Sequence, residues 1–292
     1  MAESTDTASS PSIDDGIGWL EDQTIAALKR LQSIKATDTA PVRGDDAFFH
    51  PIKRNFQQDV VQCLYSAIDS LRFLAWSMKT HDAPFPYAQA SLIRTAINGG
   101  STALWMVSGS TEERRARALE FKYNDLRSHR KWLNLLAAEP VNQARPSDEM
   151  AKVAGMQATF DQRIDWILQE ATTLLAPPAP FSNKKYTEQL ATESSIVQFA
   201  GSLVTGLDAG EGWNTGQLLL QTWQLLSGYS HARPWASAYG SKHVIVDDVP
   251  DSKTGTIQVT VEGNPDRLLD YAFRALRVVE AAIGGFEQVC NT

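Results

Sequence analysis

Apolar residues recur at helical spacing along most of the chain, which predicts a protein built from long helices. The polar stretch 35–46 is predicted to be a loop because it contains Pro41 and Gly44, and the glycines of 206–212 predict another. The predicted helices cover 14–34, 52–79, 87–107, 112–138, 147–175, 188–204, 214–231 and 266–289. The predicted fold class is therefore all-α, with one multi-helix bundle.

One segment departs from this pattern. Residues 243–246 and 256–262 are rich in β-branched side chains, and the second stretch alternates apolar with polar positions. The residues between them, 250–255, have the composition of a turn. A small β-hairpin is therefore predicted at about 243–262, before the C-terminal helix.

The domain organisation follows from composition along the chain. Residues 1–12 are polar and lack the apolar run of a secretory signal, so we expect a disordered N-terminal tail followed by a single helical domain, 13–292. No stretch approaches the ~20 apolar residues of a membrane span. Cys63 and Cys290 are too few for a disulfide framework, which favours a reducing cytoplasm.

Charge and motifs exclude several classes of function. The chain has 27 Lys and Arg against 34 Asp and Glu, a net charge of -7, which disfavours binding of duplex nucleic acid. Its five histidines lack the paired spacing of metal ligands. No dinucleotide or phosphate-loop fingerprint is present. We therefore expect neither a metal nor a cofactor.

Arg94 is the only charged residue between positions 88 and 109. A helix without other charges lacks a solvent face, so we expect it to be central, with Arg94 buried and Asn98 on the same stripe. A buried guanidinium needs hydrogen-bond acceptors. Two alternatives stay open: an internal salt bridge to Asp69 or Glu120, and a site for an anion such as phosphate.

The helix predicted at 214–231 repeats this arrangement, with His231 as its only group that titrates near neutral pH. Gln224 and Ser227 lie on the same face, and Ser227 is one turn before His231. A serine in that place can orient an imidazole that acts as a general base or binds phosphate. The alternative is a histidine that only completes the core.

The helix predicted at 112–138 begins with a basic run. Most of its charges have opposite-charge spacing, as on a solvated face. Arg115 and Arg130 instead fall on the apolar stripe and are predicted to point inward. If that stripe packs on the Arg94 helix, the arginines would form a cationic pocket with His231.

Three blocks of sequence, 91–105, 113–119 and 223–235, resemble a group of largely actinobacterial all-α proteins without an assigned activity. That group has an arginine helix ending near a tryptophan, an arginine-rich helix start and a late Ser-Gly-x-x-His motif. The resemblance implies that Arg94 occupies the arginine position and that Ser227, Gly228 and His231 form the late motif. The bundle of the group is similar to HEPN-like domains of toxins and phage-defence systems.

The chain departs from both patterns. Asn98 stands where the group usually has a glutamate, one turn after the arginine. HEPN ribonucleases carry an Arg-x4-6-His element on a helix, and the only match in spacing, Arg43 to His50, begins in a predicted loop. The sequence therefore disfavours an active HEPN nuclease of the usual kind.

The function predicted is a non-catalytic module that binds a partner or a small anionic or nucleotide-like ligand, within a defence or stress system. The predicted ligand-binding residues are Arg94, Asn98, Arg115, Arg130, Gln224 and His231. The alternative is a metal-independent, HEPN-like enzyme that processes RNA or nucleotides, in which His231 is the acid or base, Ser227 positions it and Arg94 holds phosphate. A third alternative is a structural protein that forms a homodimer through 52–79.

Overall fold

A computed structural model describes residues 12–81, 85–138, 147–207 and 214–291, and it confirms the all-α class. The predicted tail lies outside the described residues except for Ser12. The helices are α1 (Ile13–Ser33), α2 (Pro41–Phe48), α3 (Phe56–Thr80), α4 (Pro86–Val107), α5 (Thr111–Ala138), α6 (Ser147–Leu175), α7 (Asn183–Gln189), α8 (Glu193–Leu203), α9 (Thr215–Ser230), α10 (Pro234–Gly240) and α11 (Pro265–Asn291). The strands β1 (Ser241–Asp247) and β2 (Gln258–Gly263) lie between the last two helices, where the hairpin was predicted.

The predicted loop is confirmed at 35–40, but the prediction is wrong from Pro41, where α2 begins. Proline suits the first turn of a helix, where its missing N–H would have no partner in any case. The helix also buries Asp45 completely, which a solvated loop would not do. A short 3₁₀ helix, His50–Ile52, then leads towards α3.

The single helix predicted at 188–204 is divided between α7 and α8. Leu190 has extended backbone angles and ends α7. The hydroxyl of Thr192 accepts a hydrogen bond from the Ser195 amide at 3.1 Å, which caps the start of α8. The seven-residue α10 was not predicted, and it begins at Pro234.

The chain forms two compact units, and the division falls inside α3, α4, α8 and α11. The first unit contains the described residues of 1–34, 61–104 and 196–284, and the second contains those of 35–60, 105–195 and 285–292. Each unit has its own apolar core. Core residues of the first unit include Leu64, Leu71, Ile93, Ile97, Leu219, Leu226, Leu276 and Val279, and those of the second include Phe49, Phe56, Leu119, Tyr123, Ile167 and Tyr186.

Two adjacent glycines allow α4 to pack closely on two of its neighbours in the first unit, α3 and α11. A Cβ atom on Gly99 would lie 2.5 Å from the carbonyl oxygen of Cys63 on α3. A Cβ atom on Gly100 would lie 3.1 Å from the side chain of Val279 on α11. The helix that carries Arg94 is therefore central to its unit, as its lack of other charges predicted.

Helices α1 and α11 run side by side in the first unit, in the same direction. Near the start of both helices, the position of a Cβ on Gly16 is 3.1 Å from the side chain of Leu269. Near the end of α1, Arg30 approaches Gly284, with 3.7 Å between a guanidinium nitrogen and the position of a Cβ. The N-terminal part of α1 thus lies beside the N-terminal part of α11, and their C-terminal parts also lie side by side. The two helices are therefore parallel.

The hairpin is an appendage on the helices of the first unit. Its strands pair antiparallel from Ser241 opposite Gly263, with an irregularity between Ile245 and Asp247. Most of its apolar side chains are exposed, including that of Ile245. At its base, Arg267 donates to the carbonyl oxygen of Tyr239. None of the helices in the described parts of the chain is both long and apolar enough to cross a bilayer.

Candidate functional site

Arg94 lies at the contact between α4 and α9 in the first unit. Its Nε donates to the hydroxyl of Ser227 at 2.8 Å, and its guanidinium stacks on the ring of Trp223 at 5.2 Å from the ring centre. Asn98 accepts a hydrogen bond from the Trp223 indole at 2.5 Å. Arg94 is half-buried, which corrects the expectation of full burial. Arg94 and Asn98 thus both contact the indole of Trp223, and Arg94 also binds Ser227 directly.

The late motif has a clear architectural role in the first unit. A Cβ atom on Gly228 would lie 2.7 Å from side-chain atoms of Trp235 and Ala236, so only glycine lets α10 approach α9 this closely. The hydroxyl of Tyr229 lies 2.7 Å from that of Ser241, where β1 begins. These contacts explain why the motif contains small residues next to a tyrosine without invoking a ligand.

His231 and Gln224 do not join the Arg94 cluster through hydrogen bonds. His231 is the C-cap of α9, where its backbone N–H donates to the carbonyl of Ser227 at 3.0 Å. Its side chain is exposed and has no hydrogen-bond or ion-pair partner among the described residues, and the same holds for Gln224. The hydroxyl of Ser227 therefore serves Arg94 and does not orient the imidazole.

Arg115 and Arg130 belong to the second unit, where each binds a carboxylate. Arg115 donates from Nε to Asp45 at 3.0 Å, and its guanidinium lies over the ring of Phe48. Arg130 makes a two-point contact with Asp161, with distances of 2.9 and 3.1 Å. Their first role is thus to neutralise acids of their own unit. The cationic pocket predicted for them together with Arg94 and His231 stays a prediction.

The second unit also buries charges that the sequence did not single out. Asp45 is fully buried and receives Arg114 as well as Arg115, with Arg114 Nη2 at 2.8 Å. Lys122 is fully buried and forms an ion pair with Asp59. Burial lowers the pKa of Lys122 more than the carboxylate of Asp59 raises it. Removing one partner of such a pair typically costs about 3–5 kcal/mol, because a buried charge is left alone.

A second polar cluster in that unit surrounds Tyr186, whose hydroxyl is buried without a hydrogen-bond partner among the described residues. Burial raises the pKa of Tyr186, and the nearby Glu120 carboxylate adds to the effect. Glu120 accepts a hydrogen bond from the Ala191 amide at 2.9 Å, and burial raises its pKa. The ring of Tyr186 packs edge-on against Tyr123 at 4.9 Å between ring centres. This cluster lies in the core of the second unit.

The first unit contains a cavity of about 560 Å³ between α1, α11 and the residues after α8. Its aromatic wall is Trp19 on α1 and Phe273 on α11, whose rings meet edge to face at 5.1 Å. The lining residues are Asp15, Gly16, Trp19, Gly206, Leu207, Asp270, Phe273, Arg274 and Arg277. A volume of this size is typical of small-molecule sites. Aromatic and aliphatic side chains line it together with four charged residues, Asp15, Asp270, Arg274 and Arg277.

Two of the charged residues around this cavity bind each other. Arg274 donates to both carboxylate oxygens of Asp270, at 2.5 and 3.3 Å, and its third nitrogen donates to Thr222 at 2.8 Å. Every guanidinium nitrogen of Arg274 therefore has a protein partner. This network fixes one side of the cavity.

Sequence reasoning missed the residues of this cavity. One signal was present: Phe273 and Arg277 are one helical turn apart on α11, as are Asp15 and Trp19 on α1. No pattern in the sequence pairs these two helices, and that pairing creates the cavity.

No group of three or more His, Cys, Asp or Glu side chains in the described parts of the chain could hold a metal ion. Comparison with known proteins finds no family model, no curated protein and no solved structure that matches this chain. The resemblance to the actinobacterial group and to HEPN-like domains therefore stays a prediction.

Proposed function

We propose that this protein is a non-catalytic helical module that binds a small aromatic molecule in the cavity of its first unit. The observation that carries the proposal is the wall formed by Trp19 and Phe273 around about 560 Å³ of space. Aromatic walls favour flat ring systems, because stacked and edge-to-face ring contacts add to the free energy of burying apolar surface.

Binding is favoured over the enzymatic alternative by the state of its candidate residues. In that alternative the Ser227 hydroxyl must hydrogen-bond the imidazole of His231 in order to position it. The Ser227 hydroxyl instead receives the Nε of Arg94, and the imidazole of His231 is exposed. Incubation with total RNA and common nucleotides tests this alternative. Turnover by the intact protein that disappears in His231→Ala would replace the binding proposal by an enzymatic one.

Equilibrium dialysis with 2-naphthol, a fluorescent ring compound that is uncharged at neutral pH, tests the binding proposal. We expect saturable binding of one molecule per chain. Trp19→Leu removes one ring of the wall and should weaken binding about tenfold, which corresponds to about 1.4 kcal/mol.

Trp76→Leu is the matched control. Trp76 is also an exposed tryptophan of the first unit packed against a phenylalanine, Phe73, but it does not line the cavity. The proposal is wrong if the intact protein shows no saturable binding, or if the two variants lose affinity equally.

A further inference from the structure

The charged residues of the cavity indicate which kind of ligand fits it. This inference rests on the proposed function. Asp15, Asp270, Arg274 and Arg277 line the cavity, so its formal charges sum to zero. Arg274 and Asp270 are bound to each other. Asp15 and Arg277 remain as one anionic and one cationic group that face the same space.

Both remaining groups have unused hydrogen-bonding capacity among the described residues. Arg277 donates only from Nη1, to Glu280 at 3.2 Å. That ion pair is exposed, so it contributes little and competes weakly with a ligand. Asp15 accepts two hydrogen bonds from Ser12 on one oxygen, which lower its pKa and keep it ionised at neutral pH. Its other oxygen has no partner there.

The parallel arrangement of α1 and α11 sets the order of these groups. Asp15 is one turn before Trp19 on α1, and Arg277 is one turn after Phe273 on α11. Because the two rings are in contact, one charged group lies towards each end of the aromatic wall. The two charged residues are therefore separated by about two helical turns, roughly 11 Å along the helices.

We propose that the cavity binds an aromatic zwitterion, a flat ring system with an ammonium group at the Asp15 end and a carboxylate at the Arg277 end. A ligand with only a carboxylate would pair with Arg277 and leave the Asp15 carboxylate without a counter-charge. A ligand with only an ammonium group would pair with Asp15 and leave the Arg277 guanidinium without one. Each makes only one of the two charge-assisted contacts that the zwitterion makes.

Four naphthalene compounds test this proposal by calorimetry: 6-(aminomethyl)-2-naphthoate, 6-methyl-2-naphthoate, (6-methyl-2-naphthyl)methylamine and 2-naphthol. The first carries both charges, the next two carry one each, and the last carries none at neutral pH. We expect the zwitterion to bind at least about tenfold more tightly than each singly charged compound.

Two variants test the contacts at the two ends of the ligand separately. Arg277→Gln should weaken the zwitterion about tenfold and leave the amine unchanged, whereas Asp15→Asn should weaken the zwitterion and leave the naphthoate unchanged. Arg72→Gln and Asp22→Asn are matched controls, since both residues are exposed on helices of the first unit and neither lines the cavity. Retained 2-naphthol binding verifies that each variant keeps its cavity.

The outcomes distinguish this inference from the proposed function. If 2-naphthol binds and the four compounds bind equally, the cavity is an aromatic site without charge selection and the inference is overturned. Tighter binding of either singly charged compound than of the zwitterion also overturns it. If none of the four binds, the proposed function fails as well.

Discussion

Glu120 lies partly buried on α5, where its carboxylate receives the amide of Ala191. Burial raises its pKa, against the opposing effects of that hydrogen bond and of Arg117. The folded protein thus binds a proton more tightly at Glu120 than the unfolded chain does. This contribution to stability is complete below the unfolded pKa, near 4.5, and is lost as the pH rises through the higher folded pKa.

Glu120→Gln should therefore change how stability depends on pH. An amide oxygen still accepts from Ala191, but the group no longer titrates and no longer requires a buried charge. We expect the variant to gain stability relative to the parent as the pH rises above about 4.5, in urea unfolding followed at several pH values. Glu188→Gln, at an exposed residue of α7, should show no such trend. A constant difference across the pH range would contradict the prediction.

Sequence analysis of this chain does not predict which charged residues are buried. Lys122 is on a helix whose charges have the spacing of a solvated face, yet its side chain is fully buried. Its partner Asp59 is on α3, 63 residues away in the sequence. Helical periodicity indicates which residues share a face, but it does not indicate which acidic residue of another helix packs against that face.

At the scale of elements, the contact between α3 and α4 depends on one glycine. A methyl group at Gly99 would press on the backbone carbonyl oxygen of Cys63, which cannot move aside as a side chain can. Gly99→Ala should therefore destabilise the protein by about 1–3 kcal/mol, measured as a shift of the urea midpoint.

Gly18→Ala is the control for that measurement. Gly18 also lies within a helix, but a Cβ there would meet nothing within 4 Å. This substitution should stabilise the protein by about 0.5–1 kcal/mol, because alanine loses less conformational freedom on entering a helix. Equal effects of the two substitutions would show that α3 and α4 do not approach each other as described.

The long elements could be predicted because each carries a continuous apolar stripe. The helix predicted at 147–175 has the observed bounds, and the hairpin is where alternation and turn composition indicated it. The short elements were missed for a physical reason. In α2, which spans Pro41–Phe48, a glycine and two aspartates have loop propensity, and the burial of Asp45 against arginines overrides it.

At the scale of the whole molecule, the hairpin contributes little to the apolar cores. Its apolar side chains are mostly exposed, and a two-stranded hairpin alone is marginally stable. Lys242 lies opposite Glu262, so an Asn-Gly turn can join these residues and replace 243–261.

This excision should lower stability by less than about 1 kcal/mol, which corresponds to a decrease of less than about 2–4 °C in the melting temperature. Binding of 2-naphthol should be unchanged, because no hairpin residue lines the cavity. Differential scanning calorimetry measures the first effect and dialysis the second. A loss larger than that caused by Gly99→Ala would mean that the hairpin is covered in solution.

The candidate site is the least predictable feature at this scale. Arg94 and Ser227 were each identified from the sequence, and the structure joins them, but as a contact that packs α4 against α9. The cavity combines α1 with α11, two helices that are far apart in the sequence. Neither helix alone contains a sequence pattern that identifies the other helix as its neighbour.

The pairing of α1 with α11 also determines when the cavity can first exist in a growing polypeptide. Asp15 and Trp19 leave the ribosome before the side chains that complete the wall, which belong to residues 273 and 277. Until α11 has emerged, the part of α1 that it covers lacks that neighbour and is accessible to chaperones. A nascent chain arrested before residue 273 would be unable to capture the ligand, however well its earlier helices had folded.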